Sequence, residues 1–506
     1  MLTAITTRIA QWDEATARPA YRYIGVLLGL LLFAVLLALP TPAGLSPQAH
    51  STAAVTTLMA MWWVGRVLPM AITALIPVVA FPLLGVLSVA DAAMAFAHPL
   101  NVLMFGGFII GHAMEEAGLH HRLVDALLRP AFIRAAPARV VLALMVACAV
   151  LSGLVSNTAT MLMLLPVALA LARLCTDDAR QRSAFILGLA YAGSLGGLTT
   201  LIGTPPNAVL AGLIPEVTFA RWTVFAVPFV ALAVPFAWWV VTRVALPLPR
   251  TFEQTPKAPP LEPWSLAEGL IVALIALAML GWFTRTPIPL GSVTIPGWST
   301  AFPPKWTADA LVALAVVLLL FLVPALPEGR RAHPGRFLLT VPRMDKSIPW
   351  SVLILLGGGF SLAAAFKATA LTEWLAGATS SLAVIQGSFG EGSMVGLMLA
   401  VLGVSLFMTF ATEVTSNTAT SQIMLPILAA GAVSAGVEPL MWTVPATVSA
   451  SCAFMMPVAT PPNAIASQAG DVSPADMAWA GLLLNLGLAV LVMVWTVLWA
   501  PVVFGL

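Results

Sequence analysis

Long apolar runs alternate with short polar or proline-rich breaks along the chain. Tyr23 to Leu39, Phe225 to Val241 and Met477 to Trp499 carry no charged residue. These runs approach or exceed the roughly 20 residues that a helix needs to cross the hydrocarbon core. The pattern predicts membrane spans. Basic residues cluster in the breaks and, by the preference of Arg and Lys for the cytoplasmic face, report sidedness. Arg8, Arg18 and Arg22 place the N-terminus inside, Arg66 closes a second span there, and Arg122, Arg129, Arg134 and Arg139 mark another inside loop, giving four crossings.

The next apolar stretch, Val140 to Ala172, is basic at both ends, with Arg173, Arg180 and Arg182 following it. It is expected to return to the side it entered. Its centre, Ser156-Asn157-Thr158, leaves at most about sixteen residues for each arm, short of a full crossing. A re-entrant hairpin fits both features, and exposed backbone at its tip is tolerable only inside protein or against a watery cavity. Further on, Leu246 to Trp264 (Arg250, Lys257) and Pro324 to Lys346 (Arg330, Arg331, Arg336, Arg343, Lys346) read as cytoplasmic linkers. Between them, two helices are joined by an outward segment around Pro287 to Pro304.

The pattern repeats. Ser156-Asn157-Thr158-Ala159-Thr160 returns as Ser416-Asn417-Thr418-Ala419-Thr420, an offset of 260 residues. Thr204-Pro205-Pro206-Asn207-Ala208 returns as Thr460-Pro461-Pro462-Asn463-Ala464, an offset of 256. A weaker pair, Phe105-Gly106-Gly107-Phe108 against Gly357-Gly358-Gly359-Phe360, keeps the same order. The second hairpin, Val401 to Gly436, has no Arg or Lys at its ends, so the halves are expected to be inverted. In inverted repeats the site forms near the midplane, from helices broken at corresponding positions. Both Pro-Pro pairs mark such breaks, because proline cannot extend the hydrogen-bond ladder and pushes the preceding residue out of helical geometry.

Composition narrows the class. Of 506 residues, 60% are hydrophobic and 9% charged, which excludes a soluble globular domain. A net charge of +2 without a basic patch gives no reason to expect nucleic acid. Cys148, Cys175 and Cys452 lack disulfide or zinc spacing and read as packing residues. Arg8 and Arg18 precede an apolar run with no clear cleavage site, which favours a retained first helix. Neither G-x-S-x-G nor H-E-x-x-H occurs, so an enzyme is not expected. An anion channel would need a symmetric ring of charges or carbonyls, and none is visible.

A helix broken at depth exposes carbonyls from its first half and amides from its second. Asn157, Asn417 and the hydroxyls of Ser156, Thr158, Ser416 and Thr418 add neutral oxygens and donors, a ligand set for a hard monovalent cation beside a carboxylate or other oxyanion. Neither motif holds a fixed charge, so cation and anion are expected to compensate one another and to bind cooperatively. Glu413 stands close enough to the second tip to polarise it or to satisfy hairpin amides, and the sequence leaves both readings open. His112, Glu115 and Glu116 fall near the end of the fourth span, where a structural role and a proton relay are equally open.

The paired Ser-Asn-Thr tips and Thr-Pro-Pro-Asn breaks resemble the divalent anion/sodium symporter family, which includes bacterial dicarboxylate transporters and animal citrate and sulfate carriers. The resemblance spans nearly the whole chain. It implies an all-α polytopic membrane protein of about eleven transmembrane helices plus two re-entrant hairpins in two inverted repeats. It further implies a homodimer in the inner membrane and an elevator movement of a transport domain against a scaffold. On that reading residues 1–139 hold the N-terminal helix and first scaffold helices, and 140–246 the first hairpin and transport helices. Residues 247–264 form a cytoplasmic linker, 265–392 the linking helix and second scaffold helices, and 393–506 the second hairpin and transport helices.

The resemblance also implies the ligands. Ser152, Ser156, Asn157 and the Gly203 backbone would hold one sodium; Thr412, Ser416, Asn417 and the Ala459 backbone would hold a second. Substrate carboxylates would meet Asn157, Thr158 and Thr204 from one half, and Ser416, Asn417, Thr418, Thr460 and Pro461 from the other. Relatives vary between Ser and Thr at the position of Thr204, which points to substrate choice. Sodium is the co-transported ion and no organic cofactor is expected. Sodium-coupled import of a C4-dicarboxylate is the expected activity; the alternatives are a sodium-independent dicarboxylate exchanger and a sodium-coupled sulfate or tricarboxylate transporter. Exchangers of the family place basic side chains near the cation sites, and neither motif here contains one.

Overall fold

The structure, a computed structural model, describes residues 19–252, 256–258, 263–290, 293–303, 306–325, 336–340, 348–375, 388 and 393–506. Arg8 and Arg18, and Arg330, Arg331, Arg343 and Lys346 of the second linker, lie outside the described residues. The fold is all-α and polytopic, with two small antiparallel ribbons that hydrophobic periodicity did not foretell: Ile288–Leu290 with Val293–Ile295, and Pro324–Ala325 with Arg336–Phe337. Among the described residues, eight helices are long and apolar enough to cross a membrane, and three shorter apolar helices accompany them. The three runs singled out in the sequence become the helices Pro19–Ala38, Phe219–Trp239 and Pro474–Phe504. Cys148, Cys175 and Cys452 are buried and form no disulfide among the described residues.

The chain forms two compact units, each assembled from segments distant in sequence. One comprises Pro99–Thr204 and Val217–Pro349; the other comprises Met1–His98, Pro205–Glu216 and Trp350–Leu506. In the first, helix Ala179–Gly196 packs against both arms of the first hairpin, and Pro99–Glu116 packs against Asp309–Leu322. Lipid tails are as apolar as leucine, so close packing and buried polar bonds must hold such helices together. Arg285 donates to both carboxylate oxygens of Asp309, through Nε at 2.5 Å and Nη2 at 3.4 Å. Asp309 also accepts the Phe219 amide at 3.0 Å, which fixes the start of that helix. Arg122 reaches Glu268 at 2.9 Å, the same carboxylate that completes a capping box on Ser265.

In the other unit, Met394–Val414 packs against Leu440–Ala450 and Pro474–Phe504, and Asn417–Ser434 packs against Pro205–Leu213 and Trp350–Thr369. The weak third motif has a packing role in both units. A Cβ on Gly107 would sit 2.9 Å from the Ile202 side chain, and one on Gly359 would overlap the Gln422 side chain. Gln422 Nε2 donates to the Leu355 carbonyl at 2.9 Å. These glycines let one helix approach a break or hairpin arm.

The second arm of the first hairpin is longer than the charge pattern implied. The first pair spans 16 and 19 residues (Pro137–Ser152, Asn157–Cys175), the second 21 and 18 (Met394–Val414, Asn417–Ser434). Arg173 lies within the last turn of its arm instead of ending it, so flanking charge underestimates helix length.

Candidate functional site

Both hairpin tips turn through a serine cap. Ser156 is extended (φ −61°, ψ 141°) and its Oγ accepts the Ala159 amide at 3.2 Å. Ser416 (φ −76°, ψ 127°) accepts the Ala419 amide at 3.4 Å. Each cap satisfies an amide with no partner in its own helix, which accounts for the Ser of both triplets and starts the second arm at Asn157 or Asn417. The breaks restart as read from the sequence. Helix Ala179–Gly196 passes through a 3-10 turn, Gly197–Thr199, and a new helix begins at Pro205. Helix Leu440–Ala450 stops, and Thr460 (φ −137°, ψ 152°) caps the helix that begins at Pro461 by accepting the Asn463 amide at 3.2 Å. Proline is tolerated at a first helical position because its missing N–H would be unpaired there anyway.

The first break gathers oxygens. Ser152 Oγ lies 2.6 Å from Asn157 Oδ1 and 2.6 Å from the Gly193 carbonyl. One hydroxyl proton is shared among three oxygens, an electron-rich cluster suited to a cation. Gly197 faces the same cluster: a Cβ there would stand 2.7 Å from Asn157 Oδ1 and 3.1 Å from the Gly203 carbonyl. A Cβ on Gly203 would collide with the Gly197 carbonyl. Ser152, Asn157 and Gly203 are therefore brought together, whereas the Ser156 hydroxyl serves the cap. Thr158 and Thr204 flank them in sequence, half-buried and buried respectively.

The second break is built differently. Thr412 Oγ1 donates within its own helix, to Met408 O (2.9 Å) or Thr409 O (3.1 Å). Asn417 Oδ1 is buried without a hydrogen-bond partner among the described residues, and so is Asn463 Oδ1. Two oxygens that would ordinarily be satisfied are thus left to accept something else. The Ala459 amide closes a turn onto the Met456 carbonyl at 3.2 Å, and Asn463 Nδ2 donates to Met456 O (3.1 Å) and Ala453 O (3.0 Å). Thr418 and Thr460 are buried, while Pro461 is exposed.

Glu413 satisfies backbone amides, though of another segment than the sequence suggested. Its carboxylate accepts the amides of Phe454 (2.7 Å), Met455 (2.9 Å) and Met456 (2.9 Å), which belong to the break and not to its own hairpin. Asn485 Nδ2 adds a fourth bond at 2.6 Å. Asn485 was not foreseen; its signal was an amide in the middle of a 31-residue apolar helix. Arg66, read only for topology, donates from Nη2 to the Val458 carbonyl at 3.2 Å and adopts a left-handed φ of 49°. His112 and Glu115 lie 3.7 Å apart, one turn from the end of their helix.

Comparison with known proteins adds three findings. The family of citrate transporters matches residues 58–447. The chain is 33% identical to the sodium-dependent dicarboxylate transporter SdcS of Staphylococcus saprophyticus, over 96% of this chain and 92% of that one. It is equally similar to the protein of that name from Staphylococcus aureus, over 96% and 93%. Among solved structures, the YdaH transporter of Alcanivorax borkumensis superposes with a TM-score of 0.55 at 18% identity, covering 94% of this chain and 98% of that one, a likeness of fold.

Proposed function

The chain belongs to the citrate transporter family, and on that premise we propose a sodium-coupled symporter that imports C4-dicarboxylates of the succinate, malate and fumarate type by an elevator movement. The observation that carries the reading is the oxygen cluster of Ser152, Asn157 and Gly193, one proton among three oxygens, beside the Gly203 carbonyl. Such a cluster favours a hard cation over an anion. The name of the relatives, sodium-dependent dicarboxylate transporter, supports the same ion and substrate class.

In this reading Ser152, Ser156, Asn157 and Gly203 hold the first sodium, with Ser156 acting through its cap. Thr412, Ser416, Asn417 and Ala459 hold the second. Asn157, Thr158 and Thr204, and Ser416, Asn417, Thr418, Thr460 and Pro461, bind the dicarboxylate, aided by helices whose N-termini start at the tips and at Pro205 and Pro461. A neutral shell leaves the anion's charge to the sodium ions, so each raises affinity for the other. The protein works as a homodimer in the inner membrane with its N-terminus in the cytoplasm.

A sodium-independent exchanger is the rival, and Arg66 favours it: a fixed cation donating to Val458, next to Ala459, is the device an exchanger would use. Uptake of radiolabelled succinate into proteoliposomes separates the two. Uptake driven by an inward sodium gradient into substrate-free vesicles is the expected result. Uptake that requires internal dicarboxylate and ignores sodium overturns the sodium assignments.

A further inference from the structure

Away from the breaks, the described residues enclose a cavity of about 400 Å³, within the roughly 300–1,000 Å³ of small-molecule pockets. It lies inside the unit that carries the first hairpin. Its walls come from the helix Leu119–Leu128, both hairpin arms and the linker segment at Pro256 and Lys257. On the second arm the wall runs from Pro166 to Leu171, about 14 to 21 Å along the helix from Asn157 at 1.5 Å per residue. The cavity is therefore separate from the oxygen cluster at the tip.

The lining combines two chemistries. Val124, Leu128, Val167 and Leu171 supply apolar wall, while Arg134, Lys257 and the protonatable His121 face a single acid, Asp125. Arg134 donates from Nη1 to the Pro256 carbonyl at 3.1 Å and from Nη2 to the Arg129 carbonyl at 3.2 Å. Its Nε is buried without a hydrogen-bond partner among the described residues, and among them neither Arg134 nor Lys257 pairs with a carboxylate. Carbonyls satisfy donors but leave the guanidinium's charge uncancelled. An anion with several oxygens would complete the lining, and the apolar wall asks for a chain attached to it. Phe132, two residues before Arg134, is 63% exposed, as suits an aromatic ring set into the interfacial layer of a bilayer.

We propose that this cavity binds an anionic phospholipid, with the phosphate against Arg134 and Lys257 and the first acyl carbons along Val124, Leu128, Val167 and Leu171. Basic pockets between helices at a membrane face suit such head groups. Because both hairpin arms and the helix Leu119–Leu128 line the cavity, a bound lipid fastens the base of the first hairpin to that helix.

The test follows the thermal midpoint of the purified full-length protein in an uncharged detergent, titrated with dioctanoyl phosphatidylglycerol. Two controls separate head from chain: dioctanoyl phosphatidylcholine has the same chains without net charge, and glycerol 3-phosphate has the anion without chains. Phosphatidylglycerol is expected to raise the midpoint saturably by mass action, and neither control to match it. Lys257 is exposed and makes no bond that the fold needs; Lys257→Glu should raise the half-saturating lipid concentration at least about fivefold, and Lys257→Arg should keep it. Ala170→Phe, which narrows the cavity, should weaken the response without abolishing the fold. Glycerol 3-phosphate as effective as phosphatidylglycerol assigns the cavity to a soluble phosphate and overturns the lipid. Phosphatidylcholine as effective as phosphatidylglycerol overturns the role of the charges. A wild-type half-saturation in Lys257→Glu, or no response of the wild type to phosphatidylglycerol, overturns the site.

Discussion

The two breaks share a motif and differ in how they are held. Placing the repeats in register by their tips and their Thr-Pro-Pro-Asn motifs pairs Gly153 with Glu413, Gly197 with Ala453, Gly203 with Ala459 and Thr200 with Met456. In the first repeat Thr200 Oγ1 donates to the Gly153 carbonyl at 2.5 Å, and Gly197 and Gly203 approach so closely that neither has room for a side chain. In the second, the matching positions touch through the opposite chemistry, the Met456 amide donating to the Glu413 carboxylate. Backbone proximity closes one break, a buried acidic side chain the other. The shared residues are those that offer oxygens or caps: Ser and Asn at the tips, Thr and Asn at the breaks. Duplication has kept these oxygens and caps and let the bracing diverge.

The shared part is the place to break the comparison most severely. Asn157→Ala and Asn417→Ala should each reduce sodium-driven succinate uptake to the background of empty liposomes while the protein still elutes as the folded species. Near-normal uptake in either variant would refute the site in that repeat. The divergent part gives the next effect. Gly203→Ala would drive a Cβ into the Gly197 carbonyl, and backbone atoms cannot move aside as a side chain can. Overpacking of this kind costs about 1–3 kcal/mol, so a clear fall in thermal midpoint is expected. The reciprocal Ala459→Gly should cost under about 1 kcal/mol, since it removes only a methyl and adds chain freedom. Equal losses in the two variants would erase the distinction.

A smaller effect is expected at the carboxylate's fourth partner. Asn485→Ala removes a 2.6 Å bond to Glu413 but leaves three amides on it. Hydrogen bonds to charged groups contribute about 1.5–3 kcal/mol, and partial compensation by the remaining donors places the loss at the low end. A midpoint unchanged from wild type would mean that the three amides suffice.

Much of this was legible beforehand for a physical reason. Tips and breaks are local events: a serine caps the helix starting at the next residue, and a proline pair begins a new one, so Ser156, Ser416, Pro205 and Pro461 announce themselves. Helix ends were less legible, because an apolar arm continues past a flanking charge such as Arg173. The bracing was hidden. Glu413 finds its amides 41 to 43 residues away and Asn485 72 residues away, separations that no periodicity encodes. Arg66 was visible as a charge, but its bond to Val458 spans 392 residues.

The finest distinction lies in the Thr200 hydroxyl, which does for the first break what the carboxylate does for the second. Thr200→Val keeps the shape and removes the donor to Gly153 O. The loss should be about 1 kcal/mol, the net value of a neutral hydrogen bond, read as a small drop in thermal midpoint. Because the contact between Ser152 and Asn157 is untouched, the half-saturating sodium concentration should stay within about twofold of wild type. A larger shift would mean that the geometry of this loop governs cation affinity at the first break.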